Sequence, residues 1–243
     1  MDLTNTAAIV TGAASGLGAA TAAALTAAGA TVYGFDLADF DGIRVDVTDP
    51  DAVREAVAVA AAGPEPLRVV VNCAGIAPSA RILGRAGVHD LAMYAKVVQV
   101  NLIGTFNVMA LAAERIAATA AADEHGQRGV IVNTASVAAY EGQIGQAAYA
   151  SSKGGVAGLT LPAARDLAQH GIRVMTIAPG IMLTPMLETV SEEFRAGLAA
   201  GVPFPARLGT PAEYARLALS IIANDYLNGE VIRLDGALRM APR

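Results

Sequence analysis

The stretch YASSKGG places Tyr149 four residues before Lys153. A free phenol has a pKa of ~10, so an isolated tyrosine is a poor acid or base near neutral pH. Residues at positions i and i+4 share one face of a helix, and an ammonium group held near the phenol would lower its pKa. The two residues are therefore either an ordinary surface pair or a general acid–base group activated by a positive charge.

Two further polar residues have types and positions that suit the same chemistry. Ser136 follows the strand-like segment VIVNTAS, and ligands bind near such strand ends in open α/β sheets. Asn101 lies inside the apolar helical run VVQVNLIGTFNV. Taken alone, Ser136 fits a strand-end cap and Asn101 a packed core amide. Together with Tyr149 and Lys153, they favour one shared functional site over four separate structural roles.

A glycine-rich loop follows the first strand-like segment. It reads TGAASGLG over residues 11–18, with glycines at Gly12, Gly16 and Gly18, and a helical stretch comes directly after it. Glycines permit a tight turn and a close approach of backbone to a ligand. The free N–H groups and positive dipole end of the next helix suit a pyrophosphate. The alternative is an ordinary glycine turn, but the position between strand and helix favours dinucleotide binding.

Two aspartates follow later strand-like segments. Asp36 ends TVYGFD and lies twenty residues beyond Gly16, where a carboxylate accepts hydrogen bonds from an adenosine ribose diol. It would repel a 2′-phosphate, and Leu37 and Ala38 supply no cation to compensate, so NAD is predicted over NADP. Asp46, in VDVTD, is equally explained by a contact with the adenine amino group and by a turn. A solvated loop residue is the alternative for Asp36.

Short runs rich in β-branched residues alternate with alanine-rich stretches. The strand-like runs are residues 7–10, 31–35, 69–71, 130–133, 174–177 and 231–234, and the longer helical stretches include 16–28 and 91–122. Apolar strands alternating with helices are typical of βαβ units, with a parallel sheet covered on both faces. The pattern predicts an α/β protein with a doubly wound parallel sheet (Rossmann fold) in a single domain, residues 1–243.

Individual residues mark the ends of the predicted helices. Asp49 before Pro50 suits an N-cap followed by proline at the first helical position. Thr210 and Glu213 are spaced as a capping box. Pro162 lacks an N–H and is expected to bend or interrupt the helix that contains Tyr149.

Composition excludes several classes of function. The 243 residues are 54% hydrophobic and 16% charged, with a net charge of −5 and no Lys/Arg-rich run, so nucleic acid is not an expected partner. No unbroken apolar run reaches the ~18–20 residues of a membrane span, and no targeting segment is recognisable. A single cysteine suits a reducing compartment. We expect a cytoplasmic protein that does not bind membranes.

Metal and hydrolase chemistry are also disfavoured. His89, His125 and His170 are scattered without metal-ligand spacing, so no metal site is predicted. Ser136 lacks the GxSxG sequence of a hydrolase nucleophile.

Several motifs in order resemble one enzyme family. TGAASGLG (11–18), NCAG (72–75), Asn101, Ser136, YASSK (149–153) and PG (179–180) together resemble the short-chain dehydrogenase/reductase family over essentially the whole chain. The stretches NTASVAAYEGQIGQAAYASSKGG, ARDLAQHGIRVMTIAPG, VPFPARLG and NGEVIRLDGALRM resemble its type II 3-hydroxyacyl-CoA dehydrogenase branch. The resemblance implies an NAD-dependent oxidoreductase that interconverts a secondary alcohol and a ketone, with 3-hydroxyacyl-CoA and 3-ketoacyl-CoA as the expected pair.

The resemblance also implies residue roles. Tyr149 is expected to be the general acid–base, and Lys153 to lower its pKa and hold the nicotinamide ribose. Ser136 is expected to hydrogen-bond the substrate oxygen, and Asn101 to hold a water that relays protons through Lys153. Gln146 is placed on the substrate side.

The expected cofactor contacts extend over six parts of the chain. They are Gly12, Ser15, Gly16, Leu17, Gly18, Asp36, Asp46, Val47, Asn72, Cys73, Ala74, Gly75, Tyr149, Lys153, Pro179, Gly180, Met182 and Thr184. Within this set, Cys73 is expected to be a packed contact and not a reactive thiol.

The expected partners are a small-molecule substrate, an acyl-CoA, and further copies of the same chain. Family likeness implies a homotetramer with helices around 101–120 and 149–169 at its interfaces. The alternatives are a 3-ketoacyl-ACP reductase, a hydroxysteroid or polyol dehydrogenase of the same family, and a non-enzymatic NAD-binding sensor. Asp36 argues against an NADPH-dependent reductase, and the Ser136, Tyr149 and Lys153 set argues against a sensor.

Overall fold

Nine short strands alternate with helices in the computed structural model, which describes residues 1–85, 87–188 and 191–242. The strands are β1 (Ala7–Thr11), β2 (Thr31–Asp36), β3 (Ile43–Arg44), β4 (Leu67–Asn72), β5 (Leu83–Gly84), β6 (Gly87–Val88), β7 (Gly129–Thr134), β8 (Ile172–Pro179) and β9 (Val231–Leu234). Seven of them form one sheet in the order β3-β2-β1-β4-β7-β8-β9, and every pairing in it is parallel. The strand order reverses between β1 and β4, which confirms the doubly wound α/β fold. Strands β5 and β6 form a separate antiparallel hairpin.

Helices cover both faces of the sheet. They are α1 (Gly16–Ala27), α2 (Pro50–Ala61), α3 (Leu91–Val98), α4 (Gly104–Ala117), α5 (Ala147–Ala168), α6 (Pro185–Glu188), α7 (Glu192–Ala200) and α8 (Pro211–Ala223). The predicted starts of two helices are confirmed. Asp49 caps α2, with Pro50 in its first turn, and Thr210 and Glu213 form the capping box of α8.

Alternate residues of each strand enter two separate hydrophobic layers. Ile9 and Ile131 lie in the layer that includes α2 and α4, whereas Val10 and Val132 lie in the layer that includes α8. A strand buried on both faces reads as a continuous apolar run, which is why β1, β4 and β7 were recognisable in the sequence. All six residues of β7 are buried, so its carboxyl end is a rigid base for the residues that follow.

The long helical stretch predicted over 91–122 differs from the structure in two ways. It ends at Ala117, where the Thr119 hydroxyl donates to the Ile116 carbonyl at 2.8 Å and satisfies one of the last helical acceptors. Between α3 and α4, residues Gln99–Ile103 form a π-helical turn. Hydrophobic pattern does not distinguish such a turn from α-helix, because the set of apolar residues is nearly the same.

The combined helix Leu91–Ala117 is long and apolar enough to cross a membrane by length and composition alone. This is weak evidence, because a helix packed in a protein core passes the same test. Here 44% of its most apolar window is buried, and the helix contacts α2 and α5. Within the described ranges it is the one helix that meets the criterion.

Of the bend or interruption expected at Pro162, the interruption does not occur in α5. The helix runs unbroken from Ala147 to Ala168 with Pro162 inside it. The missing N–H leaves the carbonyl four residues earlier without its helical donor. That carbonyl belongs to Gly158, an exposed residue, so water can take the place of the lost donor.

Candidate active site

The first turns of α5 carry the tyrosine and lysine singled out in the sequence. The Lys153 Nζ lies 5.9 Å from the centre of the Tyr149 ring. Lys153 is only 4% exposed, and its Nζ donates to the carbonyl oxygen of Thr134 at 2.7 Å. Thr134 is the last residue of β7, so the strand end fixes the ammonium group at the carboxyl edge of the sheet. The pair is not an exposed surface contact.

Burial opposes charge on both groups. It raises the pKa of Tyr149 above its ordinary value, and a hydrogen bond with Ser136 acts in the opposite direction. Burial also lowers the pKa of Lys153 to about 8, with the nearby Cys73 thiol acting against this. The net effect of the protein is therefore to raise the pKa of Tyr149, whereas the sequence predicted that this pKa would be lowered. The reason is that removal from water outweighs the hydrogen bond.

Ser136 lies where β7 gives way to a short 3-10 turn, Val137–Ala139. Its hydroxyl oxygen accepts a hydrogen bond from the Ala138 N–H at 3.1 Å. This fixed acceptor role leaves the hydroxyl proton to be donated to another group. Ser136 and Tyr149 line the same cavity, and Ser136 lowers the pKa of the phenol, so the two hydroxyls suit one shared ligand oxygen.

Asn101 is fully buried within the π-helical turn, and its amide joins three elements. Its Oδ1 accepts from the Ile76 N–H at 2.8 Å, and its Nδ2 donates to the Ile76 carbonyl at 2.9 Å and to Ser152 Oγ at 3.0 Å. The side chain therefore fixes the loop after β4 against α5. The predicted water relay stays a prediction. A Cβ added to Gly75 would lie 3.1 Å from Asn101 Oδ1 and 3.5 Å from Lys153 Nζ, so these two polar atoms face the same glycine.

The glycine loop is too tightly packed for side chains. A Cβ added to Gly12 would lie 2.9 Å from the Ala74 nitrogen, and one added to Gly18 would overlap the carbonyl of Gly12. Gly12 and Gly16 have φ values of 67° and 53°, which favour glycine. Ser15 precedes α1 without a side-chain capping bond, so the N–H groups of the first turn remain free for a ligand. The loop fits the phosphates of a dinucleotide.

Asp36 and Asp46 line the cavity that contains this loop. Asp36 Oδ2 accepts from the Ala14 N–H at 3.0 Å, which ties the carboxylate to the glycine loop. Asp46 Oδ1 accepts from the N–H and hydroxyl of Thr48, at 2.9 and 2.7 Å. These contacts fit the turn interpretation of Asp46. The carboxylate nevertheless lines the same cavity as Asp36.

Two adjoining cavities bring most of the predicted residues together. One, of about 440 Å³, is lined by residues that include Gly12, Ser15, Gly16, Leu17, Gly18, Asp36, Asp46, Val47, Cys73, Ala74, Gly75 and Thr184. The other, of about 290 Å³, is lined by residues that include Ser136, Gln146, Tyr149, Lys153, Pro179, Gly180 and Met182. They share Leu17, Cys73, Gly75, Ile76 and Thr184. A ligand that spans both would reach from the glycine loop to Tyr149.

Asn72 and Asn101 are the predicted residues that line neither cavity. The Asn72 Nδ2 donates to Asn133 Oδ1 at 2.9 Å inside the sheet, so its side chain joins β4 to β7. Cys73 lines both cavities, but burial raises the pKa of its thiol. A raised pKa keeps the thiol neutral, in agreement with its expected role as a packed contact.

Sequence reasoning did not identify several residues that build the site. Thr134 binds Lys153, and Thr11 Oγ1 accepts from the N–H groups of Cys73 and Ala74 at 3.0 Å each. The only signal for them was their position at strand ends. Ile181 and Leu187 line the smaller cavity and have no polar signature at all.

The C-terminal segment closes one side of the smaller cavity, which Met240 lines. Glu141 binds both terminal nitrogens of Arg233, at 2.9 and 3.2 Å, and accepts from the Met240 N–H at 3.0 Å. Arg233 holds the pKa of Glu141 below its usual range. We call Glu141, Arg233 and Met240 the C-terminal clamp.

Among the residues that the structure describes, no group of three or more His, Cys, Asp or Glu is arranged to hold a metal.

Comparison with known proteins agrees with this geometry. Residues 6–194 match the sequence model of the short chain dehydrogenase family. The chain is 52% identical to 3-hydroxyacyl-CoA dehydrogenase type-2 of Bos taurus and 51% identical to that of Homo sapiens, covering 97% of this chain and 95% of each relative. The crystal structure of 3-hydroxyacyl-CoA dehydrogenase type-2 from Mycobacterium avium superposes with a TM-score of 0.93 at 46% identity, over 98% of both chains.

Proposed function

The chain belongs to the short-chain dehydrogenase family, and from this premise we propose that it is an NAD-dependent dehydrogenase that interconverts 3-hydroxyacyl-CoA and 3-ketoacyl-CoA. It is an enzyme of the oxidoreductase class, as its family and relatives indicate. One observation carries the proposal: Ser136, Tyr149 and Lys153 line a cavity that adjoins the cavity of the glycine loop.

The acid–base step is assigned to Tyr149. In ketone reduction its phenol donates a proton to the substrate oxygen, and in alcohol oxidation its phenolate accepts that proton. Ser136 hydrogen-bonds the same oxygen, positions it and stabilises its developing charge. When bound, a nicotinamide would supply the hydride in reduction and accept it in oxidation. Burial keeps the phenol protonated, which suits it to donate in the reductive direction.

Lys153 holds the positive charge that the phenolate requires. Its ammonium is fixed by the Thr134 carbonyl at 2.7 Å and lies near the Tyr149 ring. A cation there favours the ionised phenol and offsets the burial that raises its pKa. We also assign to Lys153 the binding of the nicotinamide ribose hydroxyls. Asn101 is assigned to hold a water that carries the proton onward from Lys153.

NAD is proposed over NADP because of Asp36. Its carboxylate is held beside the glycine loop by the Ala14 N–H, and it lines the larger cavity with Asp46. A ribose diol donates to such a carboxylate, whereas a 2′-phosphate would meet a like charge. Leu37 lines the same cavity next to Asp36, and it supplies no cation.

The acyl-CoA substrate is proposed from the relatives named for it, which are about half identical over nearly the whole chain. We also propose a homotetramer. Ile103, Phe106 and Leu161 are 40%, 49% and 45% exposed on the π turn, α4 and α5. Large apolar side chains on neighbouring helices suit burial against other copies.

Initial rates of NADH and NADPH oxidation with acetoacetyl-CoA test the proposed function. Rapid turnover with NADH, and much slower turnover with NADPH, would support both the reaction and the role of Asp36. If the protein binds the cofactor but does not turn over, the assigned fold and cofactor site would stand and the assignment of an acyl-CoA substrate would be refuted. In that case, acyl-carrier-protein, steroid and polyol substrates would be tried next. Turnover with NADPH alone would refute the cofactor assignment.

A further inference from the structure

A buried tyrosine on α8 reaches the strand end that holds Lys153. Tyr214 is 0% exposed, and its hydroxyl oxygen lies 2.6 Å from Thr134 Oγ1. The Thr134 hydroxyl donates its own proton to the Asn72 carbonyl. Each hydroxyl has one proton to donate, so Tyr214 must be the donor to Thr134. A directed chain of hydrogen bonds therefore runs from Tyr214 through Thr134 to the end of β4.

The carbonyl of the same threonine accepts from Lys153 Nζ. Among the described residues, this carbonyl is the acceptor that the structure gives the Lys153 ammonium. The Thr134 side chain is bonded to Tyr214 and to the Asn72 carbonyl. The Thr134 carbonyl accepts from Lys153 on α5. Movement of Thr134 would therefore displace the acceptor of Lys153 directly.

We propose that Tyr214 is a positioning residue for the reaction, which acts through Thr134 to hold the ammonium of Lys153 beside Tyr149. The proposal rests on the proposed function of the Tyr149 and Lys153 pair. Tyr214 lines neither the cavity that holds Tyr149 nor the cavity of the glycine loop, so it contacts neither substrate nor cofactor. Its part is to keep one carbonyl in place.

The Thr134 carbonyl matters because the titratable groups around Lys153 carry no negative charge. Within the described part of the chain, the titratable groups that act on Lys153 are Tyr149 on its own helix and Cys73 after β4. Burial raises the pKa of both. Burial also raises the pKa of Tyr214 well above its ordinary value. All three groups are therefore neutral at neutral pH, and the Thr134 carbonyl supplies the partial negative charge that the ammonium needs. If this carbonyl moves, the protonated form of Lys153 is less favoured.

Tyr214→Phe tests the proposal, since it removes one hydroxyl and retains the ring. In the oxidation of a 3-hydroxyacyl-CoA by NAD, kcat should fall by roughly threefold to tenfold, the range that one neutral hydrogen bond supplies. The acidic limb of the kcat–pH profile should move to higher pH, because a less charged Lys153 supports the Tyr149 phenolate less well. The KM of the acyl substrate should change little. Tyr33→Phe, at a partly buried tyrosine of β2, is the matched control and should leave the profile unchanged.

A second measurement does not depend on activity. The chain has two lysines, Lys96 and Lys153, so lysine labelled with ¹³C at the ε-carbon gives two signals in a nuclear magnetic resonance titration. The pKa of Lys153 should be lower in Tyr214→Phe than in the wild type, and the Lys96 signal provides an internal reference. If Tyr214→Phe does not fold, the isosteric Thr134→Val variant carries the same test. Where both fold, their effects should not add in the double variant.

The outcomes separate the two proposals. A wild-type protein that oxidises no 3-hydroxyacyl-CoA would refute the proposed function, while the lysine titration would still test Tyr214. An unchanged Lys153 titration in Tyr214→Phe would overturn the positioning role, whatever the substrate. A fall in thermal stability with an unchanged pH profile would also overturn it, because Tyr214 would then serve folding alone.

Discussion

Replacing Lys153 by methionine should stabilise the protein at neutral pH and remove its activity. Burial lowers the pKa of Lys153 from 10.5 to about 8. Each pKa unit corresponds to ~1.4 kcal/mol of differential interaction, so the charged ammonium opposes folding by about 3 kcal/mol at pH 7. Methionine fills a similar volume without a charge.

Part of this gain is lost again. The substitution removes the donor to the Thr134 carbonyl, and a buried acceptor without a partner costs about 1–3 kcal/mol. We therefore expect a net gain of about 1 kcal/mol at pH 7, which raises the Tm of a domain of this size by about 2–4 °C. Turnover should be lost because the positive charge beside Tyr149 is gone.

The gain should depend on pH in a defined direction. Between pH 8 and 10.5, folded wild-type protein has released the Lys153 proton while the unfolded chain still binds it. Wild-type stability therefore rises with pH across this window, relative to that of the methionine variant. Below pH 8, the free energy of unfolding of the variant should exceed that of the wild type by the full expected amount. At the upper end of the window the variant should be the less stable protein, because its only remaining difference is the lost hydrogen bond to Thr134.

The assay is urea unfolding of the cofactor-free proteins from pH 7 to pH 10, followed by circular dichroism. Lys96→Met is the matched control, because Lys96 is exposed on α3 and is the only other lysine. Its effect should stay within about 0.5 kcal/mol at every pH. A Lys153→Met variant that is less stable than wild type at pH 7, by a margin independent of pH, would refute the reasoning about burial.

Three further substitutions test separate parts of the site. Asp36→Ala should narrow the ratio of NADH to NADPH activity by about tenfold or more, because a like charge no longer faces the 2′-phosphate; an unchanged ratio in initial-rate assays would contradict the ribose assignment. Gly18→Ala should abolish NADH binding, measured by fluorescence titration, because its Cβ would overlap the Gly12 backbone. Gly197→Ala, whose Cβ meets nothing within 4 Å, should leave NADH binding intact. Glu141→Gln should raise the KM for acetoacetyl-CoA by loosening the C-terminal clamp. Because the folded pKa of Glu141 is lowered, its stabilising effect is full above the ordinary glutamate pKa and is lost as the pH falls through the lowered folded pKa. The Tm deficit of the variant should therefore shrink across this window and be absent below the folded pKa.

The sheet was predictable because its strands carry a strong signal. β1, β4 and β7 are buried on both faces and therefore read as apolar runs of β-branched residues. The starts of α2 and α8 were predictable because Asp49 and Thr210 act locally, through bonds to the next few backbone N–H groups. Hydrogen bonds between residues that are close in sequence can be predicted from residue types and spacing alone.

Features that depend on distant contacts were not predictable. The Lys153 bond to Thr134 joins residues nineteen positions apart, and the Tyr214 contact joins residues eighty positions apart. Within the π turn, Asn101 bonds to Ile76 and Ser152, which lie twenty-five and fifty-one positions away. Such contacts require the assembled fold.

The pKa of Tyr149 shows the same limit in energetic terms. The i,i+4 spacing correctly predicted that Lys153 lies near the phenol. It could not indicate how far both groups are removed from water, and burial is the larger effect on each of them. Sequence spacing indicates which residues neighbour a titratable group, but the burial of the group decides whether its pKa is raised or lowered.

The most direct measurement is turnover of Tyr149→Phe with NADH and acetoacetyl-CoA, paired with NADH binding to the same protein. Loss of the proton donor should lower kcat by roughly 10²–10⁴-fold and leave NADH affinity nearly unchanged, because the phenol does not form the glycine-loop cavity. Turnover close to that of the wild type would contradict the assignment of Tyr149 as the general acid–base and, with it, the proposed mechanism.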